Sequence, residues 1–237
     1  MKEQIYNLQS VANSSASDRA GFIRRTYAHL AVAILAFIAI EYYLVNSPFA
    51  ASLASSMTGG MSWLVVIGLF MGVSYIANKL AVSQTSQQMQ YLGLALFVVA
   101  EAIVFLPLLY IATIYGGDGV IASAGMMPLL LVGGITATVF ITQKAFSFMG
   151  SFLSMGGFVA LGFILCSMIF GFSLGLIFAS VMVVFAGGAV LYSTSNVLHQ
   201  HSTDQHVAAA LSLFASVALL FFYILQVLMS LGGGGDD

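Results

Sequence analysis

The chain has 237 residues, of which 60% are hydrophobic and only 6% are charged, and its formal net charge is −2. Soluble domains carry roughly 25% charged residues, so a surface covered by water on all sides is excluded and most of the surface must face lipid. The slightly negative charge argues against nucleic acid as a partner. The composition therefore predicts an integral membrane protein whose surroundings are the lipid bilayer.

The chain begins with a polar stretch, residues 1–22, that lacks the continuous apolar core of a secretory signal peptide. Its low hydrophobicity and its lack of a helical stripe predict a disordered tail. Such a tail is a handle by which a protein partner could grip the chain.

Seven apolar segments follow, each near the ~20 residues that a helix needs to cross a bilayer. They lack the two-residue alternation of a transmembrane barrel, which favours helices. The sequence therefore predicts an all-α integral membrane protein, a seven-transmembrane-helix bundle over residues 23–231 that is followed by a short tail at 232–237. The segments are 23–45, 61–81, 91–115, 120–142, 151–171, 173–195 and 207–231.

The basic residues indicate the orientation of the bundle. With seven spans, the N-terminal tail and the loops after the second, fourth and sixth spans share one side, and all six Lys and Arg fall there or at adjoining helix ends. The positive-inside rule places that side in the cytoplasm. We therefore expect a cytoplasmic N-terminus, with Asp118 and the C-terminal GGGGDD outside. The basic residues are Lys2, Arg19, Arg24, Arg25, Lys79 and Lys144.

Small residues recur within the spans. Gly68 and Gly72 are about one helical turn apart in the second span. In membranes, small residues at this spacing let helices approach closely, so this pair indicates ordinary helix packing within the bundle in preference to a dimer motif.

Two acidic residues lie inside the apolar segments. Glu101 is about ten residues into the third span, ~15 Å deep and close to the bilayer midplane. A carboxylate there costs several kcal/mol unless it is protonated, paired or hydrated. Two interpretations stay open: a titratable group in a polar cavity, or a neutral acid hydrogen-bonded to a neighbouring helix. Glu41, about eighteen residues into the first span, is a secondary candidate that we expect to reach water at the outer interface.

A loop rich in histidine, HQHSTDQH, joins the last two spans. Its side chains could bind a transition metal, but their spacing matches no established site and an exposed loop offers no groups to orient the ligands. We therefore expect no metal at His199, His201, Asp204 and His206, and no other cofactor. His29 lies near the end of the first span that is on the same side of the membrane as this loop. His29 and His206 are secondary candidates for sensing pH between 5 and 8.

The sequence contains no pattern typical of catalysis. Gly-x-Ser-x-Gly, His-Glu-x-x-His and the Walker loop are all absent from it. We therefore expect a protein that is not an enzyme.

Four stretches of the chain resemble one protein family. They cover much of the chain after residue 22, and their order and spacing carry the likeness: RRTYAHLAVAILAFIAI (24–40), TQKAFSFMGSFLSMGGF (142–158), LYSTSNVLHQ (191–200) and ALSLFASVALLFFYIL (210–225). They resemble the Bax inhibitor-1 family, and within it the bacterial YccA-like branch. The resemblance implies a multi-pass protein of the bacterial cytoplasmic (inner) membrane, in which the last helix is central and the other six surround it.

The resemblance implies two alternative functions. YccA-like members modulate the membrane-anchored AAA protease FtsH, so we expect a non-enzymatic protein that acts by contact with such a protease and can also be its substrate. The alternative is a pH-sensitive leak of calcium or protons, for which the family uses two aspartates on the last two helices. Those positions are Ser193 and Ser216 here, and neither can hold a charge. The candidates for an ion pathway or for pH sensing are therefore Glu101, Ser193 and Ser216. If the last two helices reach a turn near Ser202, the two serines differ in depth by ~6 Å and could share a cavity, but only as hydroxyls. We expect Ser216 near the depth of Glu101.

Overall fold

The architecture is a bundle of helices, in a computed structural model that describes residues 11–59, 61–83, 86–117 and 119–232. Within these ranges there are eight α-helices and no strand. Seven of the described helices, all except α2, are long and apolar enough to cross a membrane, so the predicted all-α membrane protein is confirmed. The helices are α1 (Ala16–Val45), α2 (Ala50–Thr58), α3 (Ser62–Ala81), α4 (Gln87–Tyr115), α5 (Val120–Thr142), α6 (Met149–Phe170), α7 (Gly175–His199) and α8 (His206–Gly232).

The N-terminal stretch corrects one prediction. Residues 11–22 are ordered rather than disordered, because a short 3-10 turn spans Val11–Asn13 and α1 already begins at Ala16. The side chain of Ser15 caps α1 by accepting a hydrogen bond from the Asp18 N–H at 3.2 Å, which satisfies one of the free donors of the first turn. The polar character of these residues reflects a helix start outside the apolar layer. Lys2 and the rest of residues 1–10, Asp118 and residues 233–237 lie outside the described residues.

The last helix lies at the centre of the bundle. Of its 27 residues, 15 are buried, and α8 packs against α1, α3, α4, α5 and α7. By contrast, Ala160 is the single buried residue in the described helix α6, which packs against α7 at the periphery. A helix that is apolar on all sides can occupy a core or face lipid, so only the packing separates these two helices.

Helices α3 and α4 approach each other closely at Gly93. A Cβ atom at this position would lie 2.5 Å from the Ala77 carbonyl oxygen and 2.7 Å from the Ala81 backbone nitrogen, so no larger residue fits without a shift. The predicted packing contact at Gly68 and Gly72 is not found among the described residues, since a Cβ at either position meets nothing within 4 Å. These two glycines lie on a face of α3 that no other part of the described chain covers.

The five basic residues in the described part of the chain lie at one end of the bundle, which we call the basic end. They stand at the start of α1, at the end of α3 and directly after α5, all of which meet this end. The Arg25 guanidinium donates a hydrogen bond to the Thr203 carbonyl at 3.3 Å, and the Phe146 N–H donates to Ser195 Oγ at 3.0 Å. The loops before α6 and α8 are therefore tied to the same end as the start of α1.

Candidate functional site

Two buried serines meet in the bundle. Ser193 of α7 and Ser216 of α8 have their Oγ atoms 2.7 Å apart. Ser216 Oγ also donates to the Ser212 carbonyl at 3.0 Å. A hydroxyl has only one proton to donate, so Ser193 is the donor in the shared hydrogen bond. The sequence allowed these two side chains to share a cavity as hydroxyls, and in the structure they are in direct contact, which is neutral.

Glu101 occupies the middle of α4, with fourteen helical residues on either side. Its side chain is 7% exposed, and its Oε2 atom is buried without a hydrogen-bond partner in the described part of the chain. Oε2 therefore gives no support to the interpretation that Glu101 is a neutral acid hydrogen-bonded to a neighbouring helix. An ionised carboxylate here would cost several kcal/mol.

The depth of Glu101 follows from the register between α4 and α8. Both helices run away from the basic end. Two aromatic contacts join them, and in both contacts the residue numbers differ by the same amount, so the register of the two helices is constant between the contacts. Glu101 is therefore level with Ala218, about two residues or ~3 Å beyond Ser216, which confirms the predicted similarity of depth. The contacts are Phe97–Phe214, with 6.1 Å between ring centroids, and Phe105–Phe222, with 5.2 Å.

Glu41 departs from its predicted environment. It is 5% exposed, and both of its carboxyl oxygens are buried without a hydrogen-bond partner among the described residues. The expectation that it reaches water is wrong, because its face of α1 turns inward beside Leu109 and Phe221. With them, Glu41 lines a cavity of about 240 Å³ that also includes Thr113. Sequence reasoning missed this burial because the position of a residue along a helix gives its depth in the membrane but not the side of the helix on which it lies.

An aromatic cluster of Phe37, Phe105, Phe214 and Phe221 separates the two carboxyls. The ring centroid of Phe37 lies 5.2, 5.9 and 6.4 Å from those of the other three, in that order. Glu41 is one helical turn beyond Phe37, and Glu101 is one turn before Phe105, so the carboxyls are roughly 12 Å apart along the bundle axis. A proton or cation moving between them would have to cross this apolar layer.

The two histidines that were secondary candidates lie together at the basic end. The rings of His29 and His206 have centroids 5.0 Å apart, and His29 also stacks on Tyr91 at 5.4 Å. His29 Nδ1 donates to the Arg25 carbonyl at 2.7 Å, which fixes the orientation of its ring. Three helices, α1, α4 and α8, supply this group.

The basic end is closed by a cap, which we define as residues 11–25 and 200–205. Val11 is fully buried, and its N–H donates to the His201 carbonyl at 3.0 Å. Nδ1 of His201 donates in turn to the Asn196 carbonyl at 3.0 Å. Burial lowers the pKa of the His201 imidazole below its ordinary value of 6.5, and the hydrogen bond to Asn196 acts in the opposite direction. The sequence signal for the cap was the Ser15–Asp18 pattern at the helix start.

The side chains of the histidine-rich loop point to different surroundings. His199 lines a cavity with Arg19 and Gln143, whereas His201 bonds to Asn196 and His206 faces His29. In the ranges that the structure covers, no three His, Cys, Asp or Glu side chains come together as a metal site would require. That this loop binds no metal stays a prediction.

The sequence is similar to one family model and to several curated proteins over most of its length. The family model described as "Inhibitor of apoptosis-promoting Bax1" matches residues 19–233. An uncharacterized protein of Pseudomonas aeruginosa is 31% identical over the whole of both chains. Protein LIFEGUARD 3 of Arabidopsis thaliana is 26% identical over 90% of this chain and 86% of its own. Bax inhibitor 1 of Schizosaccharomyces pombe is 27% identical over 95% of this chain and 82% of its own.

Proposed function

This chain belongs to the Bax inhibitor-1 family of membrane proteins, and from that premise we propose that it acts by protein contact, as a modulator of a membrane-anchored AAA protease of the FtsH type. In this proposal it carries out no reaction of its own, and it can itself be degraded by the protease. The choice of protease rests on the resemblance to the YccA-like branch.

The observation that carries the proposal is the ordered cap at the basic end. Helix α1 has 30 residues, about ten more than a bilayer crossing needs, so its first turns extend beyond the apolar layer. Asp18, Arg24 and Arg25 are exposed on this extension, and the hydrogen bonds of Val11 and Arg25 hold it against the 200–205 loop. A folded, charged surface outside the membrane is what a protein partner could bind.

Two further observations support action by contact rather than by catalysis. Two of the described histidine rings hydrogen-bond to backbone carbonyls, His29 to Arg25 and His201 to Asn196, and not to a serine that they could activate. The names of the matched family model and of the fission yeast relative describe inhibition of another protein. Inhibition of that kind requires binding to a partner.

Co-purification tests the proposal. The protein is extracted from native membranes with a mild detergent, and its partners are identified by mass spectrometry. An FtsH-type protease should accompany the wild type and be reduced in Arg24→Glu, which reverses an exposed charge on the cap. Ser52→Asp, on the exposed surface of α2 at the opposite end, should retain the protease. Its absence from the wild-type preparation, or equal loss in both variants, would contradict the proposal.

The proposal includes a bacterial inner-membrane location with the basic end in the cytoplasm, on the basis of the positive-inside rule. In a Cys166→Ala background, Gly233→Cys should react with a membrane-impermeant thiol reagent applied outside intact cells. Ser17→Cys should react only after the membrane is opened. The reverse pattern would show the opposite orientation.

A second candidate function is a pH-sensitive leak of protons or calcium. The observation that favours it is the pair of buried carboxyls, Glu41 and Glu101, with oxygens that lack partners in the described residues. In this proposal a proton or cation would have to cross the aromatic cluster between them. Liposomes that contain the pure protein and a pH-sensitive or calcium-sensitive dye test this function. Flux that equals that of empty liposomes at every pH would leave protein contact as the better account.

A further inference from the structure

A small polar cavity lies beneath the cap at the basic end. Its volume is about 190 Å³, equal to several water molecules at ~30 Å³ each. Arg19 of α1, Gln143 directly after α5 and His199 at the end of α7 line it, and Ala12 of the N-terminal turn closes one side. The remaining wall is apolar and consists of Ile23, Phe140 and Leu198.

The polar groups of this cavity lack partners within the described part of the chain. His199 Nε2 is buried without a hydrogen bond. The Arg19 guanidinium, which is always charged, forms no ion pair or hydrogen bond with another described residue. The two described acids of the cap are engaged by serines, Asp18 by Ser15 at 2.6 Å and Asp204 by Ser202. The cavity therefore presents a positive charge and an imidazole nitrogen that no acidic side chain of the described residues contacts.

The backbone at the edge of the cavity is unusual. Gln143 has φ 50°, and it is the one residue other than glycine with positive φ in the described ranges. Such conformations are uncommon for side-chain-bearing residues, and they cluster at ligand sites where the surroundings hold them in place. This conformation ends α5 and sets the Gln143 side chain at the cavity.

We propose that Arg19, Gln143 and His199 bind a phosphoryl group, carried either by a phospholipid headgroup or by free phosphate. A guanidinium, an amide N–H and an imidazole N–H are suitable donors to phosphate oxygens. The cavity lies at the ends of three membrane-crossing helices, and basic pockets between helices at this level bind anionic headgroups. Because Ala12 forms part of the wall, occupation of the cavity and docking of residues 11–15 stabilise each other.

Native mass spectrometry of the detergent-purified protein tests the lipid source, with phosphatidylglycerol compared against phosphatidylcholine. We expect the wild type to retain one phosphatidylglycerol. Arg19→Gln should weaken this retention about tenfold or more, because it removes one charge-assisted hydrogen bond. Arg24→Gln removes the same charge one to two turns along α1, outside the cavity, and should retain the lipid like the wild type. Titration with inorganic phosphate, followed by phosphorus NMR, tests the free anion with the same variants.

The two arms separate the sources. If the wild type retains the lipid and Arg19→Gln weakens that retention, the ligand is a headgroup. If no lipid is retained but phosphate binds and Arg19→Gln weakens its binding, the ligand is the free anion. A second variant, Gln143→Glu, preserves size and places a negative charge at the cavity, so it should abolish binding even if Arg19→Gln fails to fold. No binding in either arm, or equal weakening by Arg19→Gln and Arg24→Gln, would overturn the proposal.

Discussion

The Oγ atoms of Ser193 and Ser216 are 2.7 Å apart, on two helices whose buried faces meet in the core of the bundle. Two carboxylates at this distance could not both be ionised, whereas the Ser193 hydroxyl can donate to Ser216 while Ser216 donates to the Ser212 carbonyl. The position at which the family resemblance implies an acidic pair is therefore neutral here at every physiological pH. This contact decides which residues could respond to pH.

Restoring the acidic pair should create a response to pH. In Ser193→Asp combined with Ser216→Asp, the two carboxyls would share one proton and titrate as a coupled pair. We expect proton or calcium flux from liposomes that changes several-fold between neutral and acidic pH. The Ser193→Ala and Ser216→Ala double variant is the matched control and should behave as the wild type. Flux without pH dependence in the aspartate variant would show that the pair alone is insufficient.

Glu101→Gln should leave folding nearly intact, because a neutral amide has the shape of a protonated acid. We expect thermal unfolding in detergent to change by no more than about 1 kcal/mol. If the wild type shows pH-dependent flux, that dependence should flatten in Glu101→Gln. The comparison variant is Glu41→Gln, which removes the other buried carboxyl, on the far side of the aromatic cluster. Unaltered pH dependence in Glu101→Gln would make this residue structural.

Val11→Asp should release the N-terminal turn from the bundle. The variant places a charge at a fully buried position, which is unfavourable by several kcal/mol without a partner. We expect trypsin to cleave after Arg19 several times faster, with little change in the melting of the bundle. Ala20→Asp adds the same charge at an exposed position and should not accelerate cleavage. Equal cleavage rates in the wild type and Val11→Asp would show that the turn is not held by this contact.

Docking of the cap should weaken in acid. The pKa of His201 in the folded protein lies below its ordinary value of 6.5, so the folded form binds fewer protons than the undocked form. The contribution of His201 is therefore complete above about pH 6.5 and is lost as the pH falls below that value. Hydrogen exchange at the Val11 amide, corrected for intrinsic rates, should report faster opening near pH 5.5. His201→Gln, which can still donate to Asn196, should remove this part of the pH dependence, and a persistent dependence would assign it to His29 or His206.

Gly93→Ala should destabilise the bundle, because its Cβ would lie 2.5 Å from the Ala77 carbonyl oxygen. Overpacking of this kind costs about 1–3 kcal/mol. Gly68→Ala meets open space and replaces glycine by a better helix former, so it should be neutral or slightly stabilising. Unfolding in detergent of the two variants side by side gives the difference. Equal stability would mean that α3 and α4 separate at little cost.

The sequence by itself determined the number of the spans and the limits of several of them. A bilayer requires about 20 apolar residues in each crossing helix, so composition along the chain is sufficient to mark α3, α5 and α6 to within two residues of their observed ends. Depth was also predictable, since a helix rises ~1.5 Å per residue, and this placed Glu101 and Ser216 at similar levels.

Only the tertiary structure decided which side of each helix faces protein and which faces lipid. In a membrane both surroundings are apolar, so the helices carry almost no polar stripe that would reveal their facing. For this reason Glu41 could not be recognised as buried, nor Gly93 rather than Gly68 as the point of contact. The cap was hidden for a related reason: Val11 is one apolar residue in a polar stretch, and its burial depends on a hydrogen bond to His201, 190 positions along the chain.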